Sequence, residues 1–379
     1  MKGFLGLSLS IALMSLVQPG MGADLKVITQ NQYLGADVAP LFAAPTPAAF
    51  NEAAVAALQQ IAANQPAERI KALADEIVKG EPALVGLQEV FRFQCTDLAP
   101  PVAGQGCDDP STRDAFGDHL QGTLSALNGV YVATAIVTNL SLVVPLFING
   151  AAVQVEVVDR DVILARGDVT AGPVDFTAFQ GVGICLKPSD QGCNYSVVLP
   201  APSPFGSILI ERGFVAVDAT VDGNAYRFVN THLEQKDPTN PFLSLFQAAQ
   251  AMELIQVLQG TTPADRSLIV VGDINSSPVD PLILGSVPTP YQQFLGAGFT
   301  DAWTLRPGKL PGLTCCQLED LSNHKSVLYE RIDMIFSLDP SEKVKQARVV
   351  GATVSDKTPP PGRGLWPSDH GAVTAELQF

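Results

Sequence analysis

Apolar positions along this chain follow two rhythms. Residues 268–271 and 83–87 are short, nearly continuous apolar runs, too brief for helices, and read as buried strands. Residues 51–63, 66–79 and 242–259 repeat at the spacing of helices. In the second of these, Ile70, Leu73, Ala74, Ile77 and Val78 share a face, and Gly80 stops the helix. In the third, the expected buried face is Phe242, Leu245, Phe246, Ala249 and Met252. Residues 24–32 alternate like a half-buried strand, and 208–219 with 224–231 flank Asp222-Gly223, a hairpin turn dipeptide. Residues 131–148 carry no charge, but Thr134, Thr138, Asn139, Ser141 and Pro145 predict a strand, a loop and another strand rather than a membrane span. Residues 153–166 alternate until Asp159-Arg160-Asp161, which reads as a hairpin-like interruption. Residues 91–118, rich in Pro, Gly and Asp, read as a surface loop. Helices feeding short buried strands argue for a layered α/β fold.

Residues 1–23 stand apart. Lys2, an apolar stretch from Phe4 to Val17 and the small residues Gly20 to Ala23 have the form of a secretory signal peptide, which predicts a secreted or periplasmic protein with no transmembrane segment in its mature chain. No repeat or long linker divides 24–379, so a single domain and a monomer are expected. The formal net charge of −15 leaves no broad basic surface for a polyanion. That balance tilts toward small or membrane-presented phosphoesters without excluding a nuclease, because a divalent cation can bridge acidic groups to phosphate.

Six cysteines after an export signal suggest disulfides. Proximity alone pairs Cys95 with Cys107 and Cys185 with Cys193, although six cysteines allow about 15 connectivities. Adjacent Cys315 and Cys316 are open to a vicinal disulfide, other partners or free thiols. No histidine lies at a zinc-site spacing from either close pair.

The chemistry gathers at strand ends. Residues 268–271 lead through Gly272 to Asp273-Ile274-Asn275, and strand alternation predicts that Asp273 and Asn275 point one way while Ile274 enters the core. The same pattern, an apolar strand tipped by Asn, Glu, His or Asp, recurs at Asn31, Glu89, His232, Asp333 and Asp369-His370. Asp333 is expected inside a strand over 330–336, and Asp369-His370 just before the last strand. Two of the four histidines fall in this set. One such end is ordinarily a turn or a satisfied hydrogen-bonding group; six together are hard to explain as caps.

In order, Thr29-Gln-Asn31, Gln88-Glu89, Asn230-Thr-His-Leu-Glu234, Gly272-Asp-Ile-Asn275, Arg331-Ile-Asp333 and Ser368-Asp-His370 resemble the endonuclease/exonuclease/phosphatase superfamily, from about residue 25 to the C-terminus. That superfamily includes pancreatic-type deoxyribonucleases, abasic-site endonucleases, neutral sphingomyelinases and inositol-polyphosphate phosphatases. The resemblance implies a four-layer α/β sandwich, two mixed sheets face to face with helices outside, and divalent-metal-dependent phosphoester hydrolysis at one end. It implies Glu89 as the principal ligand of Mg2+ (Mn2+ or Ca2+ as alternatives), helped by Asn31 and Asp369. It further implies Asp273 orienting or activating the attacking water, Asn275 donating to the nucleophile or a phosphoryl oxygen, and His370 contacting phosphate or exchanging a proton, with Asp333 fixing its tautomer. His232 would contact phosphate and assist the leaving group. Phosphodiester attack does need charge neutralisation, an oriented water and a protonated leaving oxygen, and magnesium favours oxygen ligands of this kind.

Two further residues stay open. Glu234 would bind metal or face solvent after its strand, and Arg212 would orient a catalytic side chain or a phosphate. The uncharged stretches 131–148 and 196–210 favour a sphingomyelinase- or phospholipase C-like substrate with transient membrane-surface contact. A secreted nuclease acting on nucleic acid is the close alternative, an inositol-phosphate phosphatase the third, and an inactive binding scaffold the non-enzymatic one.

Overall fold

The computed structural model describes residues 24–179, 185, 187–237, 240–308, 310–339, 343–360 and 364–379; the expected signal peptide, 1–23, lies outside them. Two large mixed sheets dominate. The first runs β17 (Lys343–Val350), β18 (Ala372–Gln378), β1 (Asp24–Asn31), β2 (Leu84–Gln88), β6 (Ala151–Arg166), β3 (Arg92–Asp97), β4 (Gly117–Asp118), and β5 (Tyr131–Ile148) also pairs with β6. The second runs β15 (Thr300–Asp301), β16 (Asp333–Ser337), β14 (Ser267–Asp273), β13 (Asn224–His232), β12 (Gly213–Val221), β9 (Gly192–Asn194), β8 (Lys187–Pro188), with β7 (Thr170–Pro173) on β12, and β10 (Leu199–Ala201) pairs with β11 (Ile208–Ile210) in a separate ribbon.

Strands buried on both faces lose their alternation and read as unbroken apolar runs. The chain uses that to make four layers. Val27, Ile163, Val215, Phe228, Val271 and Ile335 pack between the sheets. Ile28, Val85 and Leu164 face Ala74 and Ile77 of the helix Pro66–Gly80, while Phe214, Val229 and Val270 face Leu254 and Leu258 of the helix Pro241–Thr261. The architecture is the four-layer α/β sandwich that the resemblance implied. The sheets approach closely at Gly86, since a Cβ there would strike Val271 and Asn230.

Several expectations are corrected. Tyr131–Ile148 is one strand of 18 residues, not two, paired with β6 along its length with register shifts at 133/135 and 138/140. Asp159-Arg160-Asp161 does not turn the chain: it lies inside β6, where Asn139 and Arg212 reach the carboxylates. The turn falls instead at Asn149-Gly150, both with positive φ. Residues 91–118 contribute β3, stapled by Cys95–Cys107, and the short edge strand β4, rather than a loop throughout. In Pro241–Thr261, Phe242 and Met252 are exposed; the buried face is Ala248, Ala251, Leu254, Ile255 and Leu258, along with Gln247 and Gln250. Both glutamines reach backbone groups at strand ends, so hydrogen bonding overrides the apolar stripe. Cys185 is bonded to Cys193, and Cys315 to Cys316. Asp222-Gly223 makes the expected hairpin turn with positive φ at both residues.

Candidate active site

β1 and β2 are parallel neighbours in one sheet, β13 and β14 in the other, and all four end at the same edge of the sandwich. Asn31, Glu89, His232 and Asp273 therefore leave four adjacent strand ends together. Asn31 Nδ2 donates to Glu89 Oε1 at 3.1 Å and to Asp273 Oδ2 at 3.2 Å, linking residues 242 apart across the two sheets. Its Oδ1 accepts from the Tyr33 amide. Asn31 here bridges two carboxylates through its nitrogen, while its Oδ1 keeps a second lone pair beyond the Tyr33 amide. Glu89 has φ of 54° and its Oε2 accepts from Leu34 N at 2.7 Å, so the loop after β1 holds this carboxylate from behind.

Asp273 lies at the centre and is 1% exposed. Oδ1 accepts from Asn275 N at 2.9 Å, and Oδ2 lies 3.6 Å from His232 Nε2 and 3.8 Å from His370 Nε2. Burial and the neighbouring Asp333 push its carboxyl up to about 7, against the pull of His370, which poises it for proton transfer near neutrality. Asn275 corrects the alternation argument. β14 ends at Asp273, Asn275 adopts φ of 51°, and its Nδ2 donates to Leu233 O at 3.0 Å. Its side-chain amide secures the chain after β13, and its backbone amide orients the carboxylate. Asp333 opens β16 rather than sitting inside a strand over 330–336, and it pairs across with Asp273.

The two histidines are set oppositely. His370 Nδ1 donates to Asp333 Oδ2 at 2.9 Å. Burial lowers its pKa, but Asp333, Asp369 and Asp273 outweigh burial and raise it well above the ordinary value, leaving an imidazolium whose Nε2–H faces Asp273. His232 Nδ1 instead faces Arg212 Nη1 at 3.1 Å. A guanidinium only donates, so Nδ1 accepts and the His232 proton sits on Nε2. Burial, Arg212 and His370 hold this ring neutral. Its Nε2 has no hydrogen-bond partner, although the residue is 1% exposed.

Arg212 and Glu234, open in the sequence, resolve together. Glu234 is buried and the Arg212 side chain is 11% exposed; Arg212 Nη2 lies 3.5 Å from Glu234 Oε1, and Arg212 Nη1 lies 3.8 Å from Asp159 Oδ2. Arg212 orients His232, and Glu234 faces the guanidinium rather than solvent. Asp159 and Asp161, read earlier as a turn, are the members of this cluster that the sequence reading passed over. Burial pushes Asp159 up to about 6 despite Arg212, and burial with Asp159 raises Asp161 further. A surer sign was available: two acids separated by one residue within an apolar strand share a face.

Other residues went unread as well. Asn230 Nδ2 donates to Leu87 O at 2.8 Å and Val162 O at 3.0 Å, while its Oδ1 accepts from Gln88 Nε2 at 2.5 Å, which stitches the sheets beneath the site. Gln247 Nε2 donates to Glu234 O and Asn275 O, at 3.0 and 2.6 Å. Arg69, fully buried, donates to the carbonyls of Gln32, Tyr33 and Pro367, joining the loop that follows Asn31 to the one that carries Asp369.

The fit to a divalent cation can be tested on the donors themselves. Glu89 and Asp369 are close enough that Glu89 helps raise Asp369, which burial pushes up to about 6. Among the described residues, Asp273, Asp333 and His370 place ligand atoms within 4.8 Å of one another, as do Cys315, Cys316 and His370. The sulfurs of the second group are already bonded together. Crowded, buried carboxylates with an unpartnered Asp333 Oδ1 suit a hard cation with oxygen ligands. Acidic and histidine groups able to hold a metal are thus present.

No family model matches the sequence, and no curated protein matches it. Among solved structures, an endonuclease/exonuclease/phosphatase family protein from Bacteroides thetaiotaomicron is similar with a TM-score of 0.51 at 17% identity, over 94% of this chain and 98% of the other. A mannosyl-6-phosphatase of the same organism is similar with a TM-score of 0.50 at 17% identity, over 94% of this chain and all of the other. The chain therefore has the fold of the endonuclease/exonuclease/phosphatase superfamily.

Proposed function

We propose that the protein is a divalent-cation-dependent phosphodiesterase that hydrolyses a phosphoester by in-line attack of water. The observation that carries this reading is Asp273: a buried carboxylate poised near neutrality, between a charged His370 and a neutral His232 whose Nε2–H has no protein partner. A phosphoryl group beside Asp273 supplies the acceptor that this N–H lacks. Asp273 then takes the proton of the attacking water while His370, held by Asp333, offers N–H to a phosphoryl oxygen that gains charge; the ester P–O bond opposite the water breaks, and the leaving oxygen takes a proton from solvent. Glu89 and Asp369, with Asn31 fixing Glu89, are the groups that would hold Mg2+, which supplies charge neutralisation when bound. His232, neutral on its Arg212 tether, acts as a hydrogen-bond donor.

The substrate read here is a phospholipid head group, in the manner of a sphingomyelinase or phospholipase C. Supporting it are the acidic net charge and the charge-free 131–148 and 196–210 stretches, which leave Val143, Phe147, Phe205 and Leu209 exposed. The protein is exported, with 1–23 removed. The test is hydrolysis of sphingomyelin, phosphatidylcholine, plasmid DNA, RNA, inositol phosphates and mannose 6-phosphate, each with magnesium and with EDTA; the sugar phosphate enters because a fold neighbour is a mannosyl-6-phosphatase. Magnesium-dependent release of a phosphorylated head group is expected, and cleavage of nucleic acid alone would replace the lipid reading. Silence across the panel would leave the scaffold. Mass analysis of the protein recovered outside the cytoplasm checks removal of 1–23.

A further inference from the structure

Residues 313–317 attracted notice only for their cysteines, yet they back the Asp333–His370 pair. On one side, Thr314 N and Cys315 N donate to Glu330 O at 2.7 and 2.9 Å, and Glu330 N donates to Cys315 O at 2.8 Å. On the other, Gly371 N donates to Thr314 O at 2.7 Å, and Gln317 N to Asp369 O at 2.8 Å. The segment is a strut with one edge on the approach to Asp333 and the other on the residues flanking His370. Thr314 is fully buried, and its Oγ1 accepts from Ile332 N at 3.1 Å and Asp333 N at 3.2 Å. Ile332 O accepts from Ile274 N at 3.1 Å, one residue past Asp273.

We propose that Thr314 is a positioning residue for the reaction. Its hydroxyl fixes the backbone of Asp333, its carbonyl fixes the residue after His370, and together they set the distance across which Asp333 holds His370. The kinetic part of this inference rests on the phosphodiesterase reading; the structural part does not. Two adjacent N–H donors converge on one oxygen, which a hydroxyl with two lone pairs can satisfy. Valine has the shape of threonine without the acceptor and leaves both buried N–H groups unmet. Serine keeps the oxygen and loses only the methyl.

The test uses the full chain, with two readouts. One is the low-field proton resonance of the His370–Asp333 hydrogen bond; the other is kcat and KM for bis-p-nitrophenyl phosphate with magnesium. Thr314→Val is expected to shift or lose the resonance and to lower kcat on the order of 100-fold, with KM within about twofold. Thr314→Ser keeps both at the wild-type level. Thr314→Ala removes the hydroxyl without bulk and takes the place of valine if that variant does not fold. A serine variant as impaired as the hydroxyl-free one, or a hydroxyl-free variant with the wild-type resonance, overturns the proposal. If the wild type hydrolyses nothing, the resonance alone decides Thr314, and the missing activity counts only against the phosphodiesterase reading.

Discussion

Replacing Arg212 with methionine tests the electrostatic core of the site. The guanidinium lies 3.1 Å from His232 Nδ1, 3.5 Å from Glu234 and 3.8 Å from Asp159, and each of those two acidic side chains is 6% exposed. Methionine matches much of the bulk but leaves both carboxylates without their cation, at a cost of about 3–5 kcal/mol. Glu234→Gln neutralises one of them, so it should hurt far less on top of Arg212→Met than alone. The double-mutant cycle is expected to give a coupling of about 1–3 kcal/mol. Urea unfolding in EDTA measures all four proteins without a cation masking the acidic groups. The same substitution removes one of the two largest influences that keep His232 neutral, so the His232 ring should titrate at higher pH, by NMR, than in the wild type. Additivity within about 0.5 kcal/mol would refute the Arg212–Glu234 pairing, and an unmoved His232 would refute the idea that Arg212 tethers this ring.

Two further outcomes are expected, one at the site and one away from it. Glu89→Ala, Asp273→Ala and His370→Ala should each cut magnesium-dependent hydrolysis by about 10²–10⁴-fold with an unchanged circular dichroism spectrum; full activity in all three would sink the assignment. Away from the site, burial pushes Glu76 up to about 8, against a hydrogen bond from Gln30. A raised acid contributes stability that is fully present below its unfolded pKa of 4.5 and is lost as pH rises toward 8. Glu76→Gln should therefore flatten the wild-type decline between those values by up to about 1.4 kcal/mol per pH unit, measured by urea unfolding at a series of pH values. An unchanged slope would mean that Glu76 is already ionised at low pH in the folded protein.

Much of the site was legible because its residues sit where strands stop. An apolar run bounded by Asn, Glu, His or Asp announces itself without coordinates: Asn31, Glu89, His232 and Asp273 stand at or just past strand ends, while Asp333 opens β16 and His370 stands just before β18. What misled was local rhythm applied where tertiary bonds dominate. Polar residues inside β5 and β6 suggested turns, yet Asn139 donates to Asp161 at 2.9 Å and Arg212 lies beside Asp159, so these groups could stay within a strand. The apolar stripe expected in the helix 241–261 is the less buried one, because Gln247 and Gln250 are needed at the carbonyl and amide of Glu234.

Strand identity, the hairpin at Asp222-Gly223, the close cysteine pairs and the acids and histidines available for chemistry were written in the order of residues, because each depends on neighbours a few positions away. The partners were not. That Asn31 meets Asp273 across 242 positions, that His232 is neutral while His370 is charged, and that Thr314 braces Asp333 depend on which strand ends the two sheets bring to one edge. Hydrogen bonds and burial act over a few ångströms, and only the folded chain decides which residues come that close.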